Sequence, residues 1–331
     1  MKSIRRILVG VRDPAAKSSP AVHKAACLAE AFGAELVLFH AITVPVTSAP
    51  YLYLGGRFAK FGRELRQSHL DRLERRAAKL RNGNGKLKVR ADADWDYPVH
   101  EAIVRHARKI KADLVVAEAH AGRRLVPWLL HLTDWELLRT CPVPVLIVKS
   151  SRKWQRPRVL AAIDPLHAFA KPAGLDDEIL EAGAKVSAAL KGRLHAMHAY
   201  VPVPGQTTQI IGVSSSVAAK IAAASHAQAR QALDRALRKT KIPRSRRHLR
   251  LGAAADAIPR TARALRAGIV VMGAVSRSGL RRVIIGNTAE RILGDLSCDV
   301  LVVKPGRFVT RVSRTRRGVR YAVSTEVPMP Y

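Results

Sequence analysis

The chain has 331 residues, 48% of them hydrophobic but only 5% aromatic, which suits about two domains with largely aliphatic cores. Its 58 lysines and arginines outnumber 25 acidic residues and give a formal net charge of +33. No apolar run approaches the roughly 18 residues of a membrane span, and three widely spaced cysteines exclude a disulfide scaffold. These features predict a cytoplasmic protein with buried free thiols and no transmembrane segment.

The positive charge predicts weak, salt-sensitive binding to polyanions such as nucleic acid or an anionic membrane. It is spread along the chain, with denser patches at Arg63–Arg81, Arg238–Arg250 and Arg307–Arg320. These patches lack the interleaved aromatic residues that stack bases, so specific nucleic-acid recognition is not expected. A solvated basic surface without a specific partner is the alternative.

The first half begins with a predicted strand. Ile7–Val11 is a short apolar run, too short for a signal peptide, and the turn signal Asp13-Pro14 follows it. Further along, an amphipathic helix from His100 leads into a strand, and a last strand covers Pro144–Lys149. This half therefore alternates buried strands with helices.

The second half repeats this order. Asp13-Pro14 corresponds to Asp164-Pro165, 151 residues later, and Lys149 corresponds to Lys304, 155 residues later. The helix and strand between these points also match. A near-constant offset over three blocks indicates an internal duplication.

The fold class follows from this alternation. The second copy predicts strands at 158–163, 192–199, 246–251, 269–272 and 299–303, with helices at about 175–190, 215–239, 255–266 and 284–295. Apolar strands separated by helices predict an α/β protein with two tandem doubly wound parallel-sheet domains. We expect domains at 1–150 and 151–305 and a basic C-terminal tail at 306–331.

A candidate phosphate-binding loop follows the fourth strand of the second copy. Gly273 ends that strand, and Gly286-Asn287-Thr288 opens the next helix. Small residues let backbone N–H groups approach a phosphate, and a helix N-terminus adds its dipole. Three arginines between these points can neutralise phosphate charge, namely Arg277, Arg281 and Arg282.

At this loop the sequence resembles the universal stress protein family, over about residues 1–305 and most closely its tandem E-type members. The family's nucleotide motif, G-x2-G-x9-G-[S/T], stands here as Gly273-x2-Ser276-x9-Gly286-Asn287. Ser276 replaces a glycine and Asn287 replaces a hydroxyl residue, which weakens a phosphate site without excluding it.

The resemblance implies that the second domain binds ATP as its adenine nucleotide and that Asp164 contacts the adenosine. His198 lies on a neighbouring strand near the expected adenine pocket. The family resemblance also implies that the two domains form an intramolecular pseudo-dimer through the last strand of each repeat. It leaves open whether two chains form a homodimer. The nucleotide-site residues assigned on this basis are Ala162, Asp164, His198, Met272, Gly273, Val275, Ser276, Gly279, Gly286, Asn287 and Thr288.

The first copy differs at the corresponding loop. The 155-residue offset places Glu118 opposite Gly273, Ala121 opposite Ser276, and His131 opposite Gly286. A carboxylate at that position repels phosphate, at a cost on the order of a few kcal/mol in a partly desolvated pocket. The first domain is therefore predicted not to bind ATP in the family's manner, and Asp13 is interpreted as a turn residue.

No catalytic residues and no metal site are predicted. The sequence contains no nucleophile elbow, HExxH motif or Walker lysine. His195 and His198 are three apart on one predicted strand and so point to opposite faces. A metal site formed by His120, His131 and Glu118 is the less favoured alternative. We expect a stress-response binding protein rather than an enzyme, with slow ATP hydrolysis as the remaining alternative.

Overall fold

The computed structural model describes residues 3–43, 46–47, 57–83, 85–119, 133–166, 174–202, 215–274, 287–306, 308–318 and 321–322. The chain divides into two compact units. Domain one combines Lys2–Ile147 with Val309–Tyr331, and domain two covers Val148–Phe308. The last stretch of the chain thus belongs with the first domain.

Domain one is built on a parallel sheet. Its strands are β1 Arg6–Gly10, β2 Glu35–Ile42, β3 Val46–Thr47, β4 Val89–Trp95, β5 Leu114–Glu118 and β6 Val145–Val148. Its helices are α1 Pro20–Phe32, α2 Arg57–Gly83, α3 Val99–Lys109 and α4 Thr133–Thr140. The strand order is β4-β2-β1-β5-β6, with β1 parallel to both β2 and β5.

Domain two repeats this arrangement. Its strands are β7 Arg158–Ala162, β8 Arg193–Tyr200, β9 Arg247–Leu251, β10 Ile269–Gly273 and β11 Asp299–Val303. Its helices are α5 Leu175–Ala189, α6 Ser215–Ala236, α7 Ala254–Ala264 and α8 Asn287–Asp295. The order is β9-β8-β7-β10-β11, and β7 and β10 pair in parallel. The predicted fold class, an α/β protein with two doubly wound parallel-sheet domains, is confirmed.

The central strands form because they are apolar on both faces. Ile7, Leu8 and Val9 of β1 are fully buried, as are Val270 and Val271 of β10. Strands covered by helices on both sides carry such continuous hydrophobic runs rather than an alternating pattern. The core is aliphatic, as the low aromatic content indicates.

The duplication extends to single backbone conformations. Lys111 and Arg266, 155 residues apart, both have positive φ angles, 52° and 47°, in the turn between a helix and a strand. The residue after each donates its backbone N–H to a helix carbonyl five residues earlier, at 2.8 Å in both domains. The two turns therefore end their helices in the same way.

A buried carboxylate anchors the segment that leads into domain two. Asp299, at the start of β11, is fully buried. It accepts hydrogen bonds from the backbone N–H groups of Lys149 and Ser150 at 2.9 and 3.1 Å, and from the Trp154 indole at 2.9 Å. Three donors offset the cost of burying this charge.

The tail packs on domain one through arginine–carboxylate contacts. The Arg316 guanidinium lies 2.9 Å from Asp94, and the Arg317 backbone N–H donates to Asp96 at 3.0 Å. A short strand, β12 Tyr321–Ala322, pairs in parallel with β3. Opposite charges thus join two segments that lie more than 200 positions apart in the chain.

All three cysteines are free thiols. Cys141 and Cys298 are buried, whereas Cys27 is only partly buried, which corrects the expectation that all three are enclosed. In the parts of the chain that the structure describes, no helix has the length and apolar character needed to cross a bilayer.

Candidate functional site

The topology of domain two places a crevice at the ends of β7 and β10. From β7 the chain continues to β8 on one side, whereas from β10 it continues to β11 on the other. Ligands of open α/β sheets bind at such a switch point, outside the carboxyl ends of the strands. Ala162 ends β7 and Asp164 lies two residues further on, while Met272 and Gly273 end β10. These four predicted site residues therefore lie on two neighbouring strand ends.

Asp164 is half exposed, and the residues beneath it are buried. Its backbone N–H donates to the Asp176 carboxylate at 3.2 Å. The buried ring of His198 lies with its Nδ1 3.3 Å from the Ile163 carbonyl and 3.7 Å from the Asp164 carboxylate. The side chain of His198 is fully enclosed, at 0% exposure. It therefore supports the end of β7 from the buried side.

Gly273 allows the close packing of α5 against β10. A Cβ at this position would lie 2.7 Å from the Leu175 side chain, well inside van der Waals contact. Leu175 is the first residue of α5 and is buried. The glycine thus lets the N-terminus of α5 approach β10, in addition to any role in ligand binding.

The N-terminus of α5 is not suited to an anion. Its first turn carries Asp176, Asp177 and Glu178, and its cap residue Gly174 contributes no side chain. Helix α8 begins with the uncharged residues Asn287 and Thr288, and its first turn carries one acidic residue, Glu290, at the fourth position. The first turn of α5 thus carries two more acidic residues than that of α8, which disfavours an anion on the α5 side of the crevice.

The start of α8 agrees with the predicted opening of a helix after Gly286. The structure describes the backbone of Asn287 and Thr288 as the first turn of that helix. Four predicted site residues lie outside the described residues, namely Val275, Ser276, Gly279 and Gly286. The three loop arginines, Arg277, Arg281 and Arg282, also lie outside them.

The corresponding crevice of domain one contains a carboxylate. Glu118 ends β5, and its side chain accepts a hydrogen bond from the Ser19 hydroxyl at 3.1 Å. The same hydroxyl caps α1 by accepting from the Val22 N–H at 3.4 Å. Ala121, His120 and His131 lie outside the described residues. Glu118 thus occupies the helix end that faces the strand ends in this domain.

Asp13 has the role of a turn residue, as predicted. Its side chain accepts a hydrogen bond from the Ala15 N–H at 2.7 Å, which closes a local turn after β1. This contact differs from the position of Asp164, whose carboxylate lies near His198. The two strand-end aspartates therefore have different local surroundings.

The sequence reasoning missed His40, the domain-one counterpart of His198. Its Nδ1 lies 2.8 Å from the Val11 carbonyl, just as His198 faces the carbonyl of Ile163. A carbonyl can only accept, so Nδ1 carries the proton in both rings. The signal was present, because each histidine occupies the sixth position of the second strand of its repeat.

A cluster of ionisable residues lies on β4 and α3 of domain one. Ligand atoms of Asp92, Asp94 and His106 lie within 4.8 Å of one another. Burial lowers the pKa of His106 to about 4, so its ring is neutral at pH 7. However, Arg66 lies 3.4 Å from Asp92 and Arg316 lies 2.9 Å from Asp94. Two arginines therefore already neutralise these carboxylates, and the cluster joins β4 to α2 and the tail.

His195 pairs with a histidine on the adjacent strand. Its Nδ1 lies 3.0 Å from Nε2 of His248, and the rings are stacked with centroids 5.2 Å apart. Burial, reinforced by the neighbouring His248 and Arg246, lowers the pKa of His195 to about 4. His195 and His198 thus have different partners.

Comparison with known proteins gives a consistent result. The model of the universal stress protein family matches residues 3–149 and again 158–304. Universal stress protein E of Escherichia coli K12 is 32% identical over 235 residues, which cover 69% of this chain and 72% of that protein.

Solved structures share the fold. A functionally unknown protein from Pseudomonas aeruginosa PAO1 is 26% identical and superposes with a TM-score of 0.64, over 92% of this chain and 94% of that one. A universal stress protein from Archaeoglobus fulgidus, 18% identical, superposes with a TM-score of 0.58 over 92% of this chain and 99% of that one. At that identity the second likeness concerns the fold alone.

Proposed function

The chain belongs to the universal stress protein family, with two family domains in tandem, and from this premise we propose that it is a cytoplasmic regulatory protein whose domain two binds ATP. The nucleotide binds at the crevice between β7 and β10. Domain one does not bind ATP in the same manner. The protein acts by binding rather than by turnover.

The difference between the two crevices carries this proposal. Domain one has a carboxylate, Glu118, at the end of β5, and Ser19 holds it at the helix end. Domain two has Gly273 at the corresponding position on β10. A carboxylate next to a phosphate is repelled, whereas a glycine removes both the charge and the side chain.

Asp164 is the residue best placed to contact the adenosine. It follows β7 at the switch point, and its side chain is half exposed. Its backbone is fixed by Asp176, and His198 supports it from the buried side. A carboxylate held in this way is preorganised to accept hydrogen bonds from ribose hydroxyls.

Calorimetry with ATP on the full chain tests this site. Asp164→Ala should weaken binding about tenfold, which corresponds to roughly 1.4 kcal/mol, the order of one charge-assisted hydrogen bond. Asp177→Ala is the matched control, because it removes an exposed carboxylate from the first turn of α5 without touching the crevice wall. Equal weakening by both variants, or no saturable binding by the wild type, would contradict the proposal.

Binding to polyanions through the basic surface is the second candidate, favoured by the net charge of +33. Such binding falls steeply with salt and does not depend on any single carboxylate. If nucleotide binding vanishes at about 0.3 M salt and is unchanged in Asp164→Ala, the surface and not the crevice is responsible. Mass spectrometry of small molecules that co-purify with the protein provides an independent readout.

A further inference from the structure

A second cleft lies in domain one, away from the strand-end crevice. It has a volume of 520 Å³ and is enclosed by the loop after β1, the first turn of α1 and one face of α2. Small-molecule sites have volumes of roughly 300–1,000 Å³. Glu118 is not among the residues that line it. The cleft is therefore large enough for a small ligand, and Glu118 lies one hydrogen bond away from it, on the lining residue Ser19.

One wall of the cleft is a stripe of positive charge. Arg72, Arg75, Arg76 and Lys79 all line it and follow the spacing i, i+3, i+4, i+7 on α2. Residues at this spacing share one face of a helix. Like charges four apart destabilise a helix by a few tenths of a kcal/mol per pair, so the stripe is unfavourable by itself.

Three of the four cations in the stripe have no carboxylate partner in the part of the chain that the structure describes. Among the described residues, Arg72, Arg75 and Lys79 form no ion pair. The nearby Asp71 instead accepts a hydrogen bond from Gln67 at 2.7 Å. The positive charge on this wall is thus available to a ligand.

Arg76 fixes the wall to the loop and keeps one donor unused. Its guanidinium donates to the Ala16 carbonyl across the cleft. Its Nη1 is buried and makes no hydrogen bond within the described part of the chain. A buried donor without a partner costs free energy, and an acceptor on a ligand removes that cost.

The opposite wall is the N-terminus of α1. Ser18, Ser19 and Val22 line the cleft there, and the first turn of this helix contains no acidic residue. The helix dipole favours an anion at such an end, whereas Pro20 supplies no N–H and the Val22 N–H is already capped by Ser19. Lys17, in the adjoining loop, adds a further cation to the lining.

We propose that this cleft binds a di- or triphosphate group. Closely spaced phosphates carry several negative charges and many acceptor oxygens, which match four cations on α2, one in the loop and the α1 N-terminus. The group can be free inorganic polyphosphate or the phosphate end of a nucleotide. The site is separate from the ATP crevice of domain two.

Titration of the full chain with inorganic tripolyphosphate at about 0.15 M salt tests the proposal. The wild-type protein should bind tripolyphosphate at one saturable site. Arg72→Ala and Arg75→Ala should each weaken this binding about tenfold, and the double variant should weaken it about a hundredfold. Arg63→Ala is the matched control, since Arg63 is exposed on the same helix but does not line the cleft. It should change the affinity less than twofold.

The outcomes separate the alternatives. Non-saturable binding, or equal weakening by Arg63→Ala, would mean that only the general positive field attracts the anion, and the cleft proposal would fall. Titration with ATP distinguishes the two sources when the binding that Arg72→Ala weakens is assigned to the cleft, because recognition of a nucleotide requires that binding to be tighter than the binding of tripolyphosphate. Tripolyphosphate lacks adenosine, so failure here leaves the Asp164 test of domain two unaffected.

Discussion

The hydroxyl of Ser19 donates to the carboxylate of Glu118 at 3.1 Å and at the same time caps helix α1. One side chain thus joins the end of β5 to the start of a helix. In domain two the corresponding helix begins after Gly174, which contributes no side chain to a cap. The two domains therefore share a fold but differ at the helix end nearest the switch point.

Ser19→Ala should loosen the first turn of α1. Loss of an N-cap hydroxyl typically costs about 1 kcal/mol, so amide hydrogen exchange in this turn should become about fivefold faster. Hydrogen–deuterium exchange of the full chain measures this change. Ser18→Ala is the control, because Ser18 is exposed and does not cap the helix. Equal acceleration in both variants would show that the cap contributes nothing.

Gly273→Ala should destabilise domain two by about 1–3 kcal/mol, because its Cβ would lie 2.7 Å from the Leu175 side chain. The cost should be smaller in a Leu175→Ala background, where that side chain is shortened. Urea unfolding of the four members of this double-mutant cycle gives the coupling. If the two substitutions are additive, the contact with Leu175 does not explain the glycine.

Asp299→Asn should lower the free energy of unfolding of domain two by about 3 kcal/mol. The NH2 group that replaces one carboxylate oxygen cannot accept, so at least one of the three N–H donors around this buried group loses its acceptor. Urea unfolding followed by tryptophan fluorescence measures the loss. Asp295→Asn, on the exposed end of α8, makes the same chemical change and should have little effect.

Domain two should lose stability as the pH falls from 6.5 to 4. Burial lowers the pKa of His195 to about 4, whereas in the unfolded chain it has its ordinary value near 6.5. In that window the unfolded chain binds more protons, so stability is complete above pH 6.5 and decreases by about 1–3 kcal/mol on the way to pH 4.

His195→Gln should flatten this acid limb, and unfolding by urea at a series of pH values measures it. His226→Gln is the control, because it makes the same substitution at an exposed histidine. It should leave the dependence of the unfolding free energy on pH unchanged. An unchanged slope in His195→Gln would assign the acid sensitivity to other groups.

The regular elements of the second copy could be predicted closely from the sequence. The strand expected at 299–303 is β11, and the helix expected at 255–266 is α7, which spans Ala254–Ala264. Both follow from local apolar periodicity, which a sequence displays directly. The offset of the repeat likewise predicted two domains with the same succession of strands and helices.

Contacts between distant parts of the chain could not be predicted in this way. The pairing of His195 with His248 joins residues 53 apart, and the anchoring of Trp154 by Asp299 joins residues 145 apart. No local pattern of residues encodes such partners. The sequence did single out Arg63–Arg81 as basic, but only the helix geometry shows that part of it lines a cleft.

The packing of the tail on domain one has a consequence for synthesis on the ribosome. Asp96 emerges 221 residues before the Arg317 backbone N–H that it accepts in the finished protein. Domain one therefore begins to fold while Asp94 and Asp96 still lack their contacts with the tail, and it is completed only when translation has passed domain two. Until Arg316 and Arg317 have been synthesised, the described contacts of Asp94 and Asp96 are those with partners in the N-terminal part of domain one, which include Arg66 and Arg105.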